Sequence, residues 1–224
     1  MVPWQSIDTV LLDMDGTLLD LHFDNYFWLQ HLPVKYAEHH GVAPDQALAH
    51  LTKQMEDKVG QLEWYCLDYW SELTSMPITE LKKDVQHKIQ FRPHVPDFLS
   101  ALRAAGKRTV IVTNAHRGSV DLKMNQTGLD AMVDRVISSH DYQYPKEAQG
   151  FWQCLMEDEP FDLERTVLID DSEPVLESAK QFGLVHLLSI CQPDSQKPKR
   201  DAGGFKSVDH FSHIMPNKPS SDKQ

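Results

Sequence analysis

Three short stretches constrain the fold of this chain more than anything else in it: "TVLLDMD" from Thr9, "RTVIVTN" from Arg108 and "RTVLIDDS" from Arg165. Each is an almost unbroken apolar run that stops abruptly in polar or acidic residues. Such a run, without polar alternation, suits a strand covered on both faces, as in a parallel sheet flanked by helices. Weaker strand patterns follow at "RVISS" and "VHLLSI". Helical patterns lie between them: "HVPDFLSALRAAGK", with Phe98, Leu99 and Leu102 apolar and Gly106 as its stop, then "EAQGFWQCLMED", then "SEPVLESAKQFG", with Ser172 as N-cap and Gly183 at its end. Strand and helix in alternation predict an α/β fold with a doubly wound, mainly parallel sheet.

One connection is too long for that scheme. Nearly a hundred residues separate Asp15 from Thr113, whereas a βαβ unit needs only about thirty. Residues 21–91 read as helical throughout, with Leu48, Leu51, Met55 and Val59 on one face of the first half. Leu62, Tyr65, Cys66, Tyr69, Trp70 and Leu73 follow the spacing of one amphipathic helix in the second. The predicted organisation is a discontinuous α/β core at 1–20 and 92–215, an inserted all-helical cap domain at 21–91, and a disordered tail at 216–224. A short helix is expected at "SVDHFSHI".

Composition narrows the partners. A formal net charge of -11 argues against an electrostatic grip on nucleic acid polymers or anionic membranes. Cys66, Cys154 and Cys191 form neither a disulfide framework nor a zinc spacing, and no apolar run is long enough to span a bilayer. The reading is a soluble, cytoplasmic protein with no signal for an oligomeric state.

Side chains alternate along a strand, so Asp13 and Asp15 are expected on one face, about 7 Å apart at their Cα atoms. In a parallel α/β sheet that is where ligands bind, and a cation there keeps a carboxylate ionised. Gly16 then suits a tight turn. An isolated Asp-x-Asp-Gly is more often a turn closing a strand. The added pair Asp170 and Asp171 changes the balance, since four converging carboxylates without a metal are costly. Magnesium, which prefers oxygen ligands, fits. Thr113 offers a hydroxyl, and the backbone from Asn114 onward offers N–H groups, for an anion at a strand end. Lys146, alone in a loop, reads as a surface lysine.

Together and in this order, "DMDGT", "TN", the lysine of "YPKE" and "DDS" resemble the four motifs of the haloacid dehalogenase superfamily of phosphohydrolases. The segments "LDLHFDNYFWLQHLP" and "WYCLDYW", with "TNAH", "YPKE", "IDDSE" and "PDS", are similar to the bacterial GMP/IMP nucleotidases of that superfamily. The resemblance implies Asp13 as nucleophile, Asp15 as acid and base, Thr113, Asn114 and Lys146 at the phosphate, and Mg²⁺ on Asp13, the Asp15 carbonyl and Asp171, with Asp170 assisting. It also implies a small phosphomonoester substrate, GMP or IMP. A sugar-phosphate or phosphoglycolate phosphatase, a phosphomutase and an inactive binding module are the alternatives.

Other residues carry two readings. Tyr65, Tyr69 and Trp70 lie on an apolar stripe and are expected as cap core. Trp64 and Asp68 beside it, and Asp24, Asn25 and Trp28, are placed to face a leaving group or simply to shape the cap. His39 and His40 read as surface residues, His116 as a loop histidine, and "KPKR" as a solvated basic segment.

Overall fold

The computed structural model describes residues 2–216. Most of the tail predicted at 216–224 lies outside them, and Pro216 itself is buried. Strands β1 (Thr9–Leu12), β2 (Arg108–Thr113), β3 (Arg135–Ser138), β4 (Thr166–Asp170), β5 (His186–Ile190) and β6 (Lys206–Val208) form one sheet in the order β3-β2-β1-β4-β5-β6, each pair parallel. The sixth strand replaces part of the helix expected at "SVDHFSHI". Val208 is drawn in beside β5, and only Phe211–Ile214 turns as a short 3-10 helix that packs Phe211 on Phe98. A three-residue strand with two exposed polar positions leaves no periodic trace in the sequence.

The insert comprises α1 (His22–Tyr26), a π-helical turn (Phe27–His31), α2 (Leu32–His40), α3 (Pro44–Glu56), α4 (Leu62–Tyr65), α5 (Leu67–Thr74) and α6 (Ile78–Lys83). Pro33 lacks the N–H that would bond the Leu29 carbonyl in an α-helix, which favours the wider π turn here. On α3 the inward face is Ala47, Leu51 and Met55, at i, i+4 and i+8. Leu48 is 39% and Val59 65% exposed, against expectation, because the helix ends at Glu56 and Leu48 lies one position off the buried row. The single helix expected from Leu62 to Leu73 breaks at Cys66, whose ψ of 109° is extended. Trp70 bridges the break, its Nε1 donating to the Trp64 carbonyl at 3.0 Å.

The chain enters and leaves this insert side by side. Leu19 and Phe91 pair antiparallel, the Asp20 N–H donates to the Gln90 carbonyl at 2.9 Å, and the Arg92 N–H to the Leu18 carbonyl at 2.9 Å.

Helices α7 (Val95–Ala104), α8 (Arg117–Thr127), α9 (Gln149–Asp158) and α10 (Glu173–Phe182) complete the fold. Alternation sends successive strand residues to opposite layers. Val10, Leu12, Ile111 and Ile169 meet Phe98, Leu99 and Leu102 of α7, while Leu11, Val110, Val112 and Leu168 meet Phe151, Trp152 and Leu176 of α9 and α10. Burial on both faces is what the unbroken apolar runs demanded. Ser172 stands at the start of α10 without a side-chain cap bond; instead its N–H donates to Asp170 Oδ1 at 2.8 Å. Among the described residues no helix is long and apolar enough to cross a membrane.

Candidate active site

The strand order reverses at β1: β2 and β3 lie on one side, β4 to β6 on the other. A crevice opens outside the carboxyl ends of strands at such a point. Asp13 follows β1, Asp170 closes β4 and Thr113 closes β2, so the topology gathers them there. Carboxylate oxygens of Asp13, Asp170 and Asp171 all lie within 4.8 Å of one another. Lys146, expected as a surface lysine from its loop, is buried between them. Its Nζ donates to Asp13 Oδ1 and Asp170 Oδ2 at 2.7 Å each, and to the Val112 carbonyl at 3.1 Å.

The loop is fixed by its neighbours. Asn114 Oδ1 accepts from the Lys146 N–H at 2.9 Å, and Asn114 Nδ2 donates to Glu147 Oε2 at 2.9 Å. Trp152 Nε1 donates to the Lys146 carbonyl at 2.9 Å. The Asn114 side chain, expected at the phosphate, is therefore committed to positioning Lys146. Thr113 Oγ1 accepts from the Ala115 N–H at 3.1 Å, and Thr113 lines the cavity.

The electrostatics follow from burial. Desolvation raises Asp13 to about 6 against the pull of Lys146, and raises Asp171 to about 8 with the charges of Asp13 and Asp170 adding to it. Lys146 is held above its usual value, because Asp13 and Asp170 outweigh its burial. Asp13 Oδ2 is buried without a hydrogen-bond partner among the described residues. Among the described residues, one cation besides Lys146 reaches the trio. Arg200, from the segment expected to be solvated, donates to Asp171 Oδ2 at 2.8 Å and to the Asp171 carbonyl. The donor set is all hard oxygen, its carboxylates are short of positive charge, and a Cβ on Gly16 would sit 2.8 Å from Asp171 Cγ. These residues fit Mg²⁺.

Asp15 lines the same cavity as Asp13, but its carboxylate stands outside the close trio. Asp15 Oδ1 instead lies 2.7 Å from Lys123 Nζ. Burial, with the charges of Asp24 and Asp13, raises Asp15 to about 6 against Lys123. Lys123 also donates to Asp24 Oδ2 at 2.7 Å, and Lys82 to Asp24 Oδ1 at 2.7 Å. Asp24 stays below its usual range, since Lys123 and Lys82 overcome the upward push of burial. Lys82 Nζ lies 5.0–5.4 Å from the ring centroids of Phe23, Phe27 and Trp28.

Neither Lys82 nor Lys123 is legible as a site residue by motif. One signal was available: Lys82 is i+4 from buried Ile78, and Lys123 is i+4 from Ser119 and i+3 from Val120, on the inward faces of α6 and α8.

Above the carboxylates is a cavity of about 520 Å³, walled on the insert side by Leu21, Trp28, Trp64, Tyr65 and Leu67. Such volumes suit a small organic ligand. Trp70 is core as expected, but Tyr65 is not: its hydroxyl donates to Glu147 Oε1 at 2.7 Å, joining insert to core. Asn25 is taken up by Asp194, to which its Nδ2 donates at 2.6 Å. His116 lines the cavity and caps α8, its Nδ1 accepting from the Gly118 N–H at 3.2 Å, so it is more than a loop residue. Asp68 is not in the wall but lies 3.4 Å from His116 Nε2. His40 is held by the Thr74 carbonyl, within the insert.

A parallel sheet with an acidic trio and a buried lysine at its switch point defines the class, and comparison with known proteins agrees. The chain belongs to the haloacid dehalogenase-like hydrolases, whose family model matches residues 10–188. It is 40% identical over 216 residues to the GMP/IMP nucleotidase YrfG of Escherichia coli (strain K12), covering 96% of this chain and 97% of that protein, and to the same extent to YrfG of Shigella flexneri. A haloacid dehalogenase-type phosphatase from Thermococcus onnurineus superposes with a TM-score of 0.77 at 22% identity, over 93% of this chain and 96% of that one. CbbY from Rhodobacter sphaeroides, in complex with phosphate, gives 0.68 at 16% identity over the same shares. The chain is thus an enzyme, a phosphohydrolase.

Proposed function

We propose that this enzyme is a Mg²⁺-dependent phosphomonoester hydrolase that works through an aspartyl-phosphate, with the purine nucleoside 5'-monophosphates GMP and IMP as its substrates and the cytoplasm as its place. The observation that carries the reaction is Asp13: one carboxylate oxygen is pinned by Lys146, and the other is buried, unpartnered and set beside two further carboxylates. The substrate rests on the near-complete overlap with YrfG and on an aromatic-walled cavity large enough for a nucleoside.

In this reading Asp13 attacks phosphorus, with Oδ2 free to form the new bond while Lys146 fixes Oδ1. Asp15 gives a proton to the departing ribose oxygen and later takes one from water, which requires it to be protonated first; its raised value serves that. Thr113 and the backbone beyond it hold phosphoryl oxygens. Asp13, the Asp15 carbonyl and Asp171 would hold the ion. Asp170 assists through Lys146, since its two oxygens are occupied by Lys146 and the Ser172 N–H. When bound, Mg²⁺ neutralises charge between carboxylate and phosphate. The helices of 21–91 act as a cap over the core of 1–20 and 92–215, excluding water and meeting the base.

Phosphate release should be measured across GMP, IMP, AMP, pyrimidine monophosphates, phosphoglycolate and sugar phosphates, with Mg²⁺ and with chelator. The highest kcat/KM is expected for GMP and IMP, and none should be hydrolysed under chelation. A sugar phosphate or phosphoglycolate turned over best would remove the nucleotidase reading and leave the phosphatase. A product that stays phosphorylated would indicate a mutase.

A further inference from the structure

At the seam between insert and core, three side chains from separate parts of the sequence meet. Cys66 stands at the break between α4 and α5, His116 begins α8, and His140 lies in the 3-10 turn Ser139–Asp141 after β3. Cys66 Sγ and one ring nitrogen of each histidine lie within 4.8 Å of one another, all partly buried. The two imidazoles are edge to face at a 5.0 Å centroid separation.

His140 Nε2 is buried and has no hydrogen-bond partner among the described residues. An orphaned imidazole nitrogen beside a thiol and a second imidazole is the arrangement that a metal ion satisfies. We propose that Cys66, His116 and His140 form a second metal site, for a borderline-soft divalent ion such as Zn²⁺, tying the helical insert to the α/β core.

The donor types separate this site from the carboxylate trio. One sulfur and two imidazole nitrogens select Zn²⁺ or a similar transition ion over Mg²⁺, which prefers oxygen. Three protein ligands leave a fourth position, and Asp68 Oδ2 is already 3.4 Å from His116 Nε2. Binding releases the Cys66 thiol proton to solvent. Ligation through His116 Nε2 places that ring's proton on Nδ1 and gives up the 3.2 Å bond from the Gly118 N–H, one weak neutral contact against a metal–imidazole bond. His140 gives up no such contact, since its buried Nε2 makes no hydrogen bond among the described residues.

The ligands also have a mechanical consequence. Cys66 directly follows Tyr65, and both Tyr65 and His116 line the cavity, so an ion here fixes insert and core together beside the substrate.

The test uses the full-length protein saturated with Mg²⁺. Zn²⁺ is titrated against a chromophoric chelator, and Co²⁺ is added separately to look for thiolate-to-cobalt charge-transfer absorption. Wild type is expected to take up one Zn²⁺ per chain and to show the cobalt band. Cys66→Ser and His140→Gln should each weaken Zn²⁺ about tenfold or more, with the cobalt band lost in Cys66→Ser, and both should keep wild-type Mg²⁺-supported activity in zinc-free buffer. Asp171→Asn should retain zinc and the band. Zinc uptake abolished only by Asp171→Asn, unchanged affinity in Cys66→Ser, or no thiolate band in the wild type would overturn the proposal.

Discussion

Two buried lysines take four of the site's carboxylates between them, while Asp171 pairs with Arg200. Lys146 holds Asp13 and Asp170, Lys123 holds Asp15 and Asp24, and each set keeps its own geometry. Asp13→Asn should lower kcat by about 10⁴-fold or more, while thermal unfolding shows a protein at least as stable as wild type, because a neutral amide replaces a carboxylate that burial penalises. Turnover within tenfold of wild type would end the covalent mechanism. Lys123→Met leaves Asp15 and Asp24 without their shared cation and should cost about 3–5 kcal/mol in urea unfolding. An unchanged midpoint would show that the pair is solvated in solution. Asp171→Ala should raise the Mg²⁺ concentration for half-maximal activity more than Asp170→Ala does, since Asp170 already serves Lys146 and the Ser172 N–H. Equal shifts would count against that division.

At the scale of elements, the turn after β1 has the least tolerance. Gly16 takes a φ of +89°, and an added Cβ would press on Asp171 and Pro193, both at 2.8 Å. Gly16→Ala should therefore weaken Mg²⁺ binding in calorimetry with a smaller loss of stability than a core truncation; unaltered binding would mean that the turn can move aside. The same turn marks what the sequence can disclose. Apolar runs showed β1, β2 and β4, because burial on both faces leaves no room for polar residues. Motif residues at strand ends followed from those runs. That the Asp15 carboxylate stands outside the close trio and pairs with Lys123 was not legible, because that partner comes from a helix distant in sequence. The break at Cys66 escaped because helical spacing on either side of it remains in phase, and β6 because three residues carry no period. Lys82 and Lys123 showed only as lysines on inward helix faces and Arg200 not at all, because all three reach the site through packing between segments distant in sequence.

Across the whole molecule, excess negative charge at one end of the sheet couples stability to pH. Asp171 near 8, with Asp13 and Asp15 near 6, all lie above the unperturbed 3.8. The folded state thus binds more protons than the unfolded one between those values, so stability from these groups is fullest below about 4 and falls as pH rises toward 8. A divalent ion reverses that penalty only when the carboxylates are ionised. The rise in Tm produced by Mg²⁺ should accordingly grow from pH 5 to pH 8 in differential scanning calorimetry. A gain that shrinks with pH would place the ion elsewhere.

The paired linkers at Leu19 and Phe91 bear on a different matter, that of ancestry and exchange. Because the chain departs and returns at hydrogen-bonded neighbours, everything between them is a cassette: the α/β part meets the same two backbone ends whatever is spliced in. A hairpin turn could close that gap without moving β1 or β2, as could a helical segment of another length. Any replacement would have to restore one thing besides the two ends, the carboxylate that Asp24 holds against Lys123 beside Asp15.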